Sequence, residues 1–353
     1  MTRALIVRLG ALGDIVHAIP VAAALRRAFP RAQIDWLVSA KHREILVLVP
    51  VIDRRLVIND RPSASASNRF ETRGWSLLTA LRELRAARYE VVLDLQGLIK
   101  SAVLARSSGA ARIVGFSSRY ARERLARLFY TDSFDGGRGG VYAADETRHV
   151  VEVNLALLEL IGIRGAAAEF PIERAASEVA ARVVRAVEGR YVLINPGAAW
   201  PNKRWPPSRF AALARALCTE AGLRSVVLWG PGERSLAETV VELADGAAIL
   251  SPETSIGDLV ELARSATLMI SGDTGPLHLA SAVGTPIVGL FGPTRPSRNG
   301  PLSSLDISVS RATICQCHHL RRCKGDRMCL LDIEVDEVVA AAERRLAPEP
   351  TSV

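Results

Sequence analysis

The sequence of 353 residues has no run of 18 apolar residues free of charges or turn residues, so it predicts no transmembrane helix. Aromatic residues make up only 5% of the chain, and no basic run is interleaved with them, which argues against a single-strand nucleic-acid surface. The first glycine-rich turn lacks the Gly-Lys-Ser/Thr of a P-loop and the third glycine of a dinucleotide fingerprint. The first apolar run, residues 4–7, is too short for a signal peptide, so we expect a buried strand there and a cytoplasmic protein.

Basic residues outnumber acidic ones, with 45 lysines and arginines against 37 aspartates and glutamates and a formal net charge of +8. A surplus of this size suits nucleic acid, an anionic membrane surface or a phosphorylated substrate as partner. The same surplus is also expected of the solvated surface of a protein from an arginine-rich proteome. Composition alone leaves both interpretations open.

Four of the five cysteines cluster near the C-terminus, at Cys315, Cys317, Cys323 and Cys329. Their spacing matches none of the common zinc-finger patterns. In a reducing compartment a disulfide framework is disfavoured. A structural zinc site, a packed thiol cluster and a redox-active thiol cluster are the alternatives that the sequence leaves.

Short β-branched runs alternate with longer amphipathic segments along the chain, which predicts βαβ units and parallel sheets. The length exceeds that at which one hydrophobic core usually stops growing, so we expect two domains. The predicted bounds are 1–170 for an N-terminal domain, 171–189 for a linker or hinge, 190–334 for a C-terminal domain, 335–346 for a final helix and 347–353 for a disordered tail. Two such domains facing each other would place ligands in the cleft between them, at the carboxyl ends of both sheets.

The first turn between a strand and a helix runs from Arg8 to Asp14 and contains two glycines. Its small residues allow a ligand to approach the backbone, and the helix that follows favours negative charge at its start. Asp14 is therefore either a plain cap or dipole partner of that helix or a functional carboxylate. Pro20 is expected to kink the predicted helix over residues 15–28 or to shift its start.

Two later turns also follow predicted strands. The first carries Lys203 and Arg204, which would either reach an anionic ligand or be solvated in a proline-braced surface loop. The second, residues 271–280, opens a helix whose free backbone N–H groups and Thr274 hydroxyl form a predicted anion site suited to a diphosphate. Asp273 is expected to cap that helix or to hold sugar hydroxyls.

These residues resemble the bacterial lipopolysaccharide heptosyltransferases of glycosyltransferase family 9 over nearly the whole chain. The motifs that carry the resemblance are Gly13-Asp14-Ile15-Val16-His17 with Pro20, Lys203-Arg204-Trp205-Pro206, and Asp273-Thr274-Gly275-Pro276-Leu277-His278-Leu279. Within the family, residues 94–101 and the pair Arg122-Glu123 are most similar to the heptosyltransferase I branch. The resemblance implies the GT-B fold, an α/β architecture of two Rossmann-like doubly wound domains facing across a cleft.

The resemblance further implies an inverting glycosyltransferase that moves L-glycero-D-manno-heptose from ADP-heptose to a Kdo residue of the lipopolysaccharide inner core. Asp14 would be the general base that removes the acceptor hydroxyl proton, and Lys203 would neutralise the departing diphosphate. The donor-binding residues would be Lys203, Glu233, Thr254, Asp273, Thr274, Gly275, Leu277 and His278. The acceptor-binding residues would be Gly13, Arg61, Lys100, Arg122 and His149.

Lys203 and the helix start at residue 275 would supply the positive charge around the diphosphate, so no Mg²⁺ motif is needed. No cofactor is therefore expected beyond the ADP-sugar donor, apart from the zinc alternative at the cysteines. The acceptor is expected to be the anionic Kdo-lipid A, and no nucleic-acid partner is expected. Arg61, Arg69, Arg73 and Arg122 would dock this lipid, which would make the enzyme a peripheral protein at the cytoplasmic face of the inner membrane.

Other functions remain as alternatives. A family 9 enzyme with another acceptor, such as a heptosyltransferase II or an enzyme for another glycan, would carry the same motifs. Asp35, about twenty residues past the first glycine-rich turn, is where a Rossmann-type NAD oxidoreductase would hold the cofactor ribose. A basic nucleic-acid- or glycan-binding module is the non-enzyme alternative, and nucleic-acid binding would show a steep salt dependence.

Overall fold

The computed structural model describes residues 1–59, 77–143, 145–315, 317–318, 320–323 and 327–347. The chain divides into two compact units, Met1–Glu173 and Arg174–Val353. Arg61, Arg69 and Arg73, three of the arginines expected at the acceptor, lie outside the described residues. No helix within the described ranges is long and apolar enough to cross a membrane.

The first unit contains a parallel sheet whose six described strands follow the order β3-β2-β1-β4-β5-β6. The strands are β1 Arg3–Val7, β2 Gln33–Ser39, β3 Arg54–Ile58, β4 Val91–Asp94, β5 Arg112–Phe116 and β6 Asp132–Phe134. The helices are α1 Leu12–Val16, α2 Ile19–Ala28, α3 Leu77–Ala86, α4 Ile99–Ser107 and α5 Val150–Ala156. Short 3₁₀ helices cover Ala40–His42, Glu44–Leu48, Arg124–Phe129 and Leu157–Ile161.

The second unit contains another parallel sheet, with the described strands in the order β12-β11-β10-β7-β8-β9. The strands are β7 Tyr191–Asn195, β8 Arg224–Val227, β9 Ala248–Leu250, β10 Leu268–Gly272, β11 Ile287–Phe291 and β12 Ile307–Ser310. The helices are α6 Glu178–Val187, α7 Pro207–Ala221, α8 Arg234–Leu243, α9 Ile256–Ser265, α10 Gly275–Ala282, α11 Pro296–Asn299 and α12 Val335–Leu346. Further 3₁₀ helices cover Pro201–Lys203 and Cys329–Asp332.

The two sheets share one topology, in which the first and fourth strands of a unit are neighbours at the centre. Strands β1 and β10 are almost wholly buried, as expected for central strands of a parallel sheet covered by helices on both faces. The strand order reverses between β1 and β4 and between β7 and β10, and ligands bind such sheets at the carboxyl ends of the strands beside this reversal. The α/β prediction of two doubly wound sheets is confirmed, and a ligand site is expected at the turns that follow these four strands.

Pro20 shifts the start of a helix, as the sequence predicts. Helix α1 ends at Val16, and α2 begins at Ile19 with Pro20 as its second residue, where the missing proline N–H costs no intrahelical hydrogen bond. Helix α6 lies within the segment 171–189 that the sequence assigns to a linker, and it packs on α9 of the second unit. The buried residues of α6, Ala180, Val183 and Val187, recur at helical spacing and account for this packing.

Candidate functional site

Asp14 lies between two arginines at the carboxyl end of β1. It is the third residue of α1, and Ala11 is the N-cap residue of that helix. One carboxylate oxygen of Asp14 lies 2.7 Å from Nη2 of Arg8, and the two oxygens lie 2.9 and 3.0 Å from Nη2 of Arg122. Asp14 also accepts a hydrogen bond from the Ala11 N–H, at 3.2 Å. We call Arg8, Asp14 and Arg122 the Asp14 cluster.

The two arginines of the Asp14 cluster differ in solvent exposure. Only 3% of the Arg8 side chain is exposed, and Arg8 also donates a hydrogen bond to the carbonyl oxygen of Leu95, directly after β4. Burial lowers the pKa of Arg8 to about 10, so it remains charged at neutral pH. The Arg122 side chain is 32% exposed. Arg8 is therefore a fixed part of the sheet edge, whereas Arg122 is open to an incoming anion.

The charge of Asp14 is set by these arginines. Burial alone would raise the pKa of Asp14, but the charges of Arg8 and Arg122, with a smaller effect from His17, hold it well below its ordinary value. Asp14 in turn raises the pKa of Arg122. A carboxylate in this setting is ionised at neutral pH, as a general base must be, and it is a weak base as long as both guanidinium groups stay in place.

The other residues predicted at the acceptor have different surroundings. His149 is the buried N-cap residue of α5, where its Nδ1 accepts a hydrogen bond from the Val151 N–H, and its ring lies edge-on to that of His17 at 5.3 Å. Gly13 is buried within α1, whereas Lys100 is exposed as the second residue of α4. Arg122, by contrast, forms an ion pair with Asp14.

Lys203 and His278 both contact Asp273, directly after β10. One carboxylate oxygen of Asp273 lies 2.6 Å from Nζ of Lys203, and the other lies 2.8 Å from Nε2 of His278. Lys203 also lies over the ring of Trp200, with its Nζ 4.6 Å from the ring centroid. Asp273 is almost fully buried. We call Lys203, Asp273 and His278 the Asp273 cluster.

The prediction that Asp273 caps the following helix is wrong. Thr274 is the N-cap residue of α10, and no side chain there forms a capping hydrogen bond. Burial would raise the pKa of Asp273, but the Lys203 charge and the His278 hydrogen bond hold it well below its ordinary value. Because each carboxylate oxygen already has a partner, the direct effect of Asp273 is to fix the position of the Lys203 ammonium group.

Thr274 links the ends of two central strands. Its Oγ1 lies 3.1 Å from Nδ2 of Asn195, at the end of β7, and 3.0 Å from Oγ of Ser271 in β10. The start of α10 at Gly275 is thereby tied to the sheet, and Leu277 in its first turn is buried. The first N–H groups of a helix have no acceptor within the helix, so this rigid start is suited to an anion.

Glu233, the predicted ribose ligand, is the residue before α8 and contacts the turn after β7. Its Oε1 lies 3.5 Å from Nη2 of Arg204, and Nε of Arg204 donates to the carbonyl oxygen of Ala198 at 2.8 Å. A Cβ atom at Gly197 would overlap the Glu233 carboxylate, so a larger residue there would displace this carboxylate from its present position. Thr254 is half-buried in the loop before α9, and within the described part of the chain no hydrogen bond joins it to these groups.

The cysteines near the C-terminus lie close together as thiols. Cys315 is hydrogen-bonded to Cys329, and Cys317 to Cys323. Burial, followed by these hydrogen bonds, raises the pKa of Cys323 to about 11 and that of Cys329 to about 12. Among the residues that the structure describes, no group of three or more His, Cys, Asp or Glu side chains is placed to hold a metal ion. The zinc site, the packed thiol cluster and the redox-active thiol cluster all stay predictions.

Asp35 does not occupy the place of a ribose-binding acid. It is the third residue of β2, far from the carboxyl end of that strand at Ser39, and it is fully buried. Its carboxylate accepts hydrogen bonds from the Tyr89 hydroxyl at 2.6 Å and from Nε2 of Gln33 at 3.0 Å. Asp35 therefore supports the core of the first unit, which removes the residue on which the oxidoreductase alternative depends.

Three residues that take part in these contacts have no role assigned from the sequence: Arg8 in the Asp14 cluster, and Asn195 and Ser271 beside Thr274. Each is a polar residue at the end of a buried apolar strand, and this position is the signal that would have identified them. A polar side chain that directly follows such a strand lies at the carboxyl edge of the sheet, where ligands bind.

Comparison with known proteins places the chain among transferases of sugars. The family model described as glycosyltransferase family 9 (heptosyltransferase) matches residues 77–328. Lipopolysaccharide heptosyltransferase 1 of Pseudomonas aeruginosa is 30% identical over 308 residues, which cover 84% of this chain and 81% of that protein.

Solved structures agree in fold. A glycosyltransferase of family 9 from Veillonella parvula superposes with a TM-score of 0.77 at 23% identity, covering 98% of this chain and 97% of that one. The Escherichia coli heptosyltransferase WaaC, solved with ADP-2-deoxy-2-fluoro heptose, superposes with a TM-score of 0.70 at 24% identity, covering 97% of this chain and 99% of that one.

Proposed function

The chain belongs to glycosyltransferase family 9 and is a glycosyltransferase of GT-B fold, and we propose that it transfers L-glycero-D-manno-heptose from ADP-heptose to a Kdo residue of the lipopolysaccharide inner core. The observation that carries this proposal is the Asp14 cluster. It holds an ionised carboxylate at the carboxyl end of β1, beside an arginine that is open to an anion. A sugar hydroxyl is a poor nucleophile at neutral pH, so its attack on the anomeric carbon of the donor requires a base of this kind to take its proton.

Asp14 is proposed as the general base, and the anionic acceptor as the group that activates it. With Arg8 and Arg122 both paired to it, the carboxylate has little tendency to take a proton. A Kdo carboxylate offers Arg122 a competing partner, and Arg122 is sufficiently exposed to accept it. When Arg122 turns to the acceptor, Asp14 loses one of its two cations and becomes a stronger base at the moment when its substrate is present.

The donor is proposed to bind the second unit through its diphosphate. Lys203 would meet the phosphate charge, while Asp273 and His278 hold its ammonium group in place. The N–H groups at the start of α10 would contact the same oxygens, and Glu233 would bind the ribose hydroxyls. As the bond from the anomeric carbon to the diphosphate breaks, these groups stabilise the negative charge of the departing ADP.

The acceptor is proposed to be Kdo-lipid A, which the enzyme would reach as a peripheral protein at the cytoplasmic face of the inner membrane. Arg122 and the exposed Lys100 are the described cations on the first unit that support this choice. Lipid A phosphates and Kdo carboxylates are anionic, so cations at the acceptor side favour their approach. The net charge of +8 is consistent with an anionic partner.

A turnover assay with ADP-heptose and a panel of acceptors tests the proposal. Lipid A carrying one Kdo, lipid A carrying two, and a core that already holds one heptose are each incubated with the enzyme and the donor, and products are identified by mass spectrometry. We expect heptose on a Kdo residue. Transfer only to the acceptor that already carries heptose would replace this assignment with the heptosyltransferase II alternative. Absence of transfer to every member of the panel would overturn the proposed donor and acceptor.

A further inference from the structure

Four large apolar side chains are exposed on two neighbouring elements of the first unit. Ile99 and Val103 of α4 are 37% and 41% exposed, and Leu125 and Leu128 of the 3₁₀ helix Arg124–Phe129 are 60% and 77% exposed. Residues four apart share a face of an α-helix, and residues three apart share a face of a 3₁₀ helix. Each element thus presents one apolar pair to solvent. We call these four residues the apolar patch.

The two pairs form one surface, because the starts of the two elements are bonded to each other. The Glu123 N–H donates to the carbonyl oxygen of Gly97 at 2.9 Å, and the Glu123 carboxylate accepts from the Ile99 N–H at 2.6 Å. Helix α4 and the 3₁₀ helix also pack against each other. The side chains of the apolar patch are therefore held on a preformed surface.

Basic side chains accompany the apolar patch. Lys100 and Arg106 of α4 and Arg124 at the start of the 3₁₀ helix are exposed, and Arg127 on the same 3₁₀ helix is half-buried. Neither element contains an acidic residue, and the neighbouring acid, Glu123, already accepts the Ile99 N–H. Apolar side chains among cations are the composition with which peripheral proteins enter the boundary between lipid headgroups and acyl chains.

We propose that the apolar patch and its four cations dock the enzyme on an anionic lipid bilayer, with Leu125 and Leu128 entering the interface and the cations meeting lipid phosphates. The inference rests on the peripheral location in the proposed function and deepens it by naming the surface responsible. The 3₁₀ helix follows Arg122 by one residue, so docking here would bring the Asp14 cluster close to a lipid-linked acceptor.

Vesicle cosedimentation with the full chain tests the surface. Wild-type protein is mixed with vesicles of phosphatidylcholine alone and of phosphatidylcholine with phosphatidylglycerol. The test variant is Leu125→Glu with Leu128→Glu. The matched control is Leu302→Glu with Leu305→Glu, which changes two exposed leucines of the same spacing in the second unit. We expect the wild type and the control to bind the anionic vesicles, and the test variant to bind them about tenfold or more weakly. A third variant, Lys100→Gln with Arg124→Gln, should lose the preference for anionic over neutral vesicles.

Equal binding by the test variant and the wild type, or no binding by the wild type, would overturn the proposal. Sedimentation velocity without vesicles adds a further outcome: a wild-type dimer that the test variant converts to monomer would assign the patch to a second copy of the chain instead. Thermal unfolding of each variant checks the fold, which exposed substitutions should leave intact. Heptose transfer to a lipid-free Kdo acceptor separates the docking proposal from the proposed reaction. The test variant should retain this transfer, because the acceptor needs no membrane. A wild type that binds vesicles but does not transfer heptose would contradict the proposed reaction and leave the docking surface supported.

Discussion

Nζ of Lys203 lies 2.6 Å from Oδ2 of Asp273, so the lysine expected at the donor diphosphate already has a buried counter-ion within the protein. The pair spans the turns after β7 and β10, which flank the reversal of strand order in the second sheet. A lysine held in this way is oriented before a ligand arrives, which reduces the conformational entropy lost on binding. The same pairing means that any change at Lys203 acts on both Asp273 and the ligand.

Lys203→Ala should weaken ADP binding by roughly 1.5–3 kcal/mol, the contribution of a charge-assisted hydrogen bond, and should also destabilise the fold because Asp273 keeps its charge without the lysine. Calorimetry with ADP and thermal unfolding measure the two effects. The control is Lys203→Ala combined with Asp273→Asn, which should recover stability without recovering ADP affinity. Recovery of both in the double variant would mean that Lys203 serves only to neutralise Asp273.

Asp14→Asn should lower kcat by about 10²-fold or more, because the amide cannot accept the acceptor proton. It should also cost roughly 1–3 kcal/mol of stability, since Arg8 then stays buried without its carboxylate. Steady-state kinetics and denaturant unfolding separate these effects. Asp135→Asn, which breaks an exposed ion pair with Arg119 in the same unit, should change neither by a comparable amount. Near-normal turnover in Asp14→Asn would refute the base assignment.

Gly197→Ala should weaken ADP binding about tenfold, because the new methyl group displaces the Glu233 carboxylate from its contact with the turn after β7. If the effect acts through Glu233, then Glu233→Ala should weaken binding by a similar factor, and the two changes combined should weaken it little further. Calorimetry on the three variants checks this. Additive losses would show that the methyl group acts on the backbone of the turn instead.

Glu146→Gln tests a pH dependence. Hydrogen bonds from Arg148 and Tyr120, acting against burial, lower the pKa of Glu146 to about 2. Because the folded pKa is depressed below the value near 4.3 of an unfolded chain, the stabilisation is complete above that value and is lost as the pH falls toward 2. The melting temperature of the wild type should exceed that of Glu146→Gln at neutral pH, and the gap should close in acid. A difference in melting temperature that stays constant from neutral to acid pH would show that the ionised Glu146 carboxylate is not the source of the stabilisation.

The control for this pH series is Glu169→Gln. Glu169 pairs with Arg27 at the surface, where both side chains are about half exposed. Such a pair contributes little at any pH, so this variant should follow the wild type throughout the titration.

Much of the second unit could be predicted from the sequence. The strands over 191–195 and 286–291 and the helix over 335–346 are strong patterns, because the strands are continuous apolar runs and the helix has a clear 3.6-residue period. The motif over 273–279 likewise predicts the start of α10, because its residues are consecutive in sequence. What it could not predict is the partner of Asp273, since Lys203 is distant in sequence and meets it only through the pairing of β7 with β10.

Strands β3 and β6, at the two edges of the first sheet, have weak sequence patterns. Strand β3 opens with two exposed arginines, and β6 has only three residues, so neither shows the apolar run of a central strand. The ion pair between Asp14 and Arg122 was missed for a different reason. Asp14 and Arg122 are separated by 108 positions and are joined by tertiary structure alone, on which local patterns carry no information.

The shared strand order also has a consequence for how the nascent chain folds. Strand β1 is synthesised early, yet its second hydrogen-bonded neighbour, β4, is completed only at Asp94, and β7 likewise waits for β10, which ends at Gly272. Until then the strand that precedes each of the turns carrying Asp14 and Lys203 lacks one of its two neighbouring strands. Parallel pairing between strands so distant in sequence is slow. The first unit is fully synthesised while the second is still being made, so the chain would acquire its proposed acceptor half before its proposed donor half.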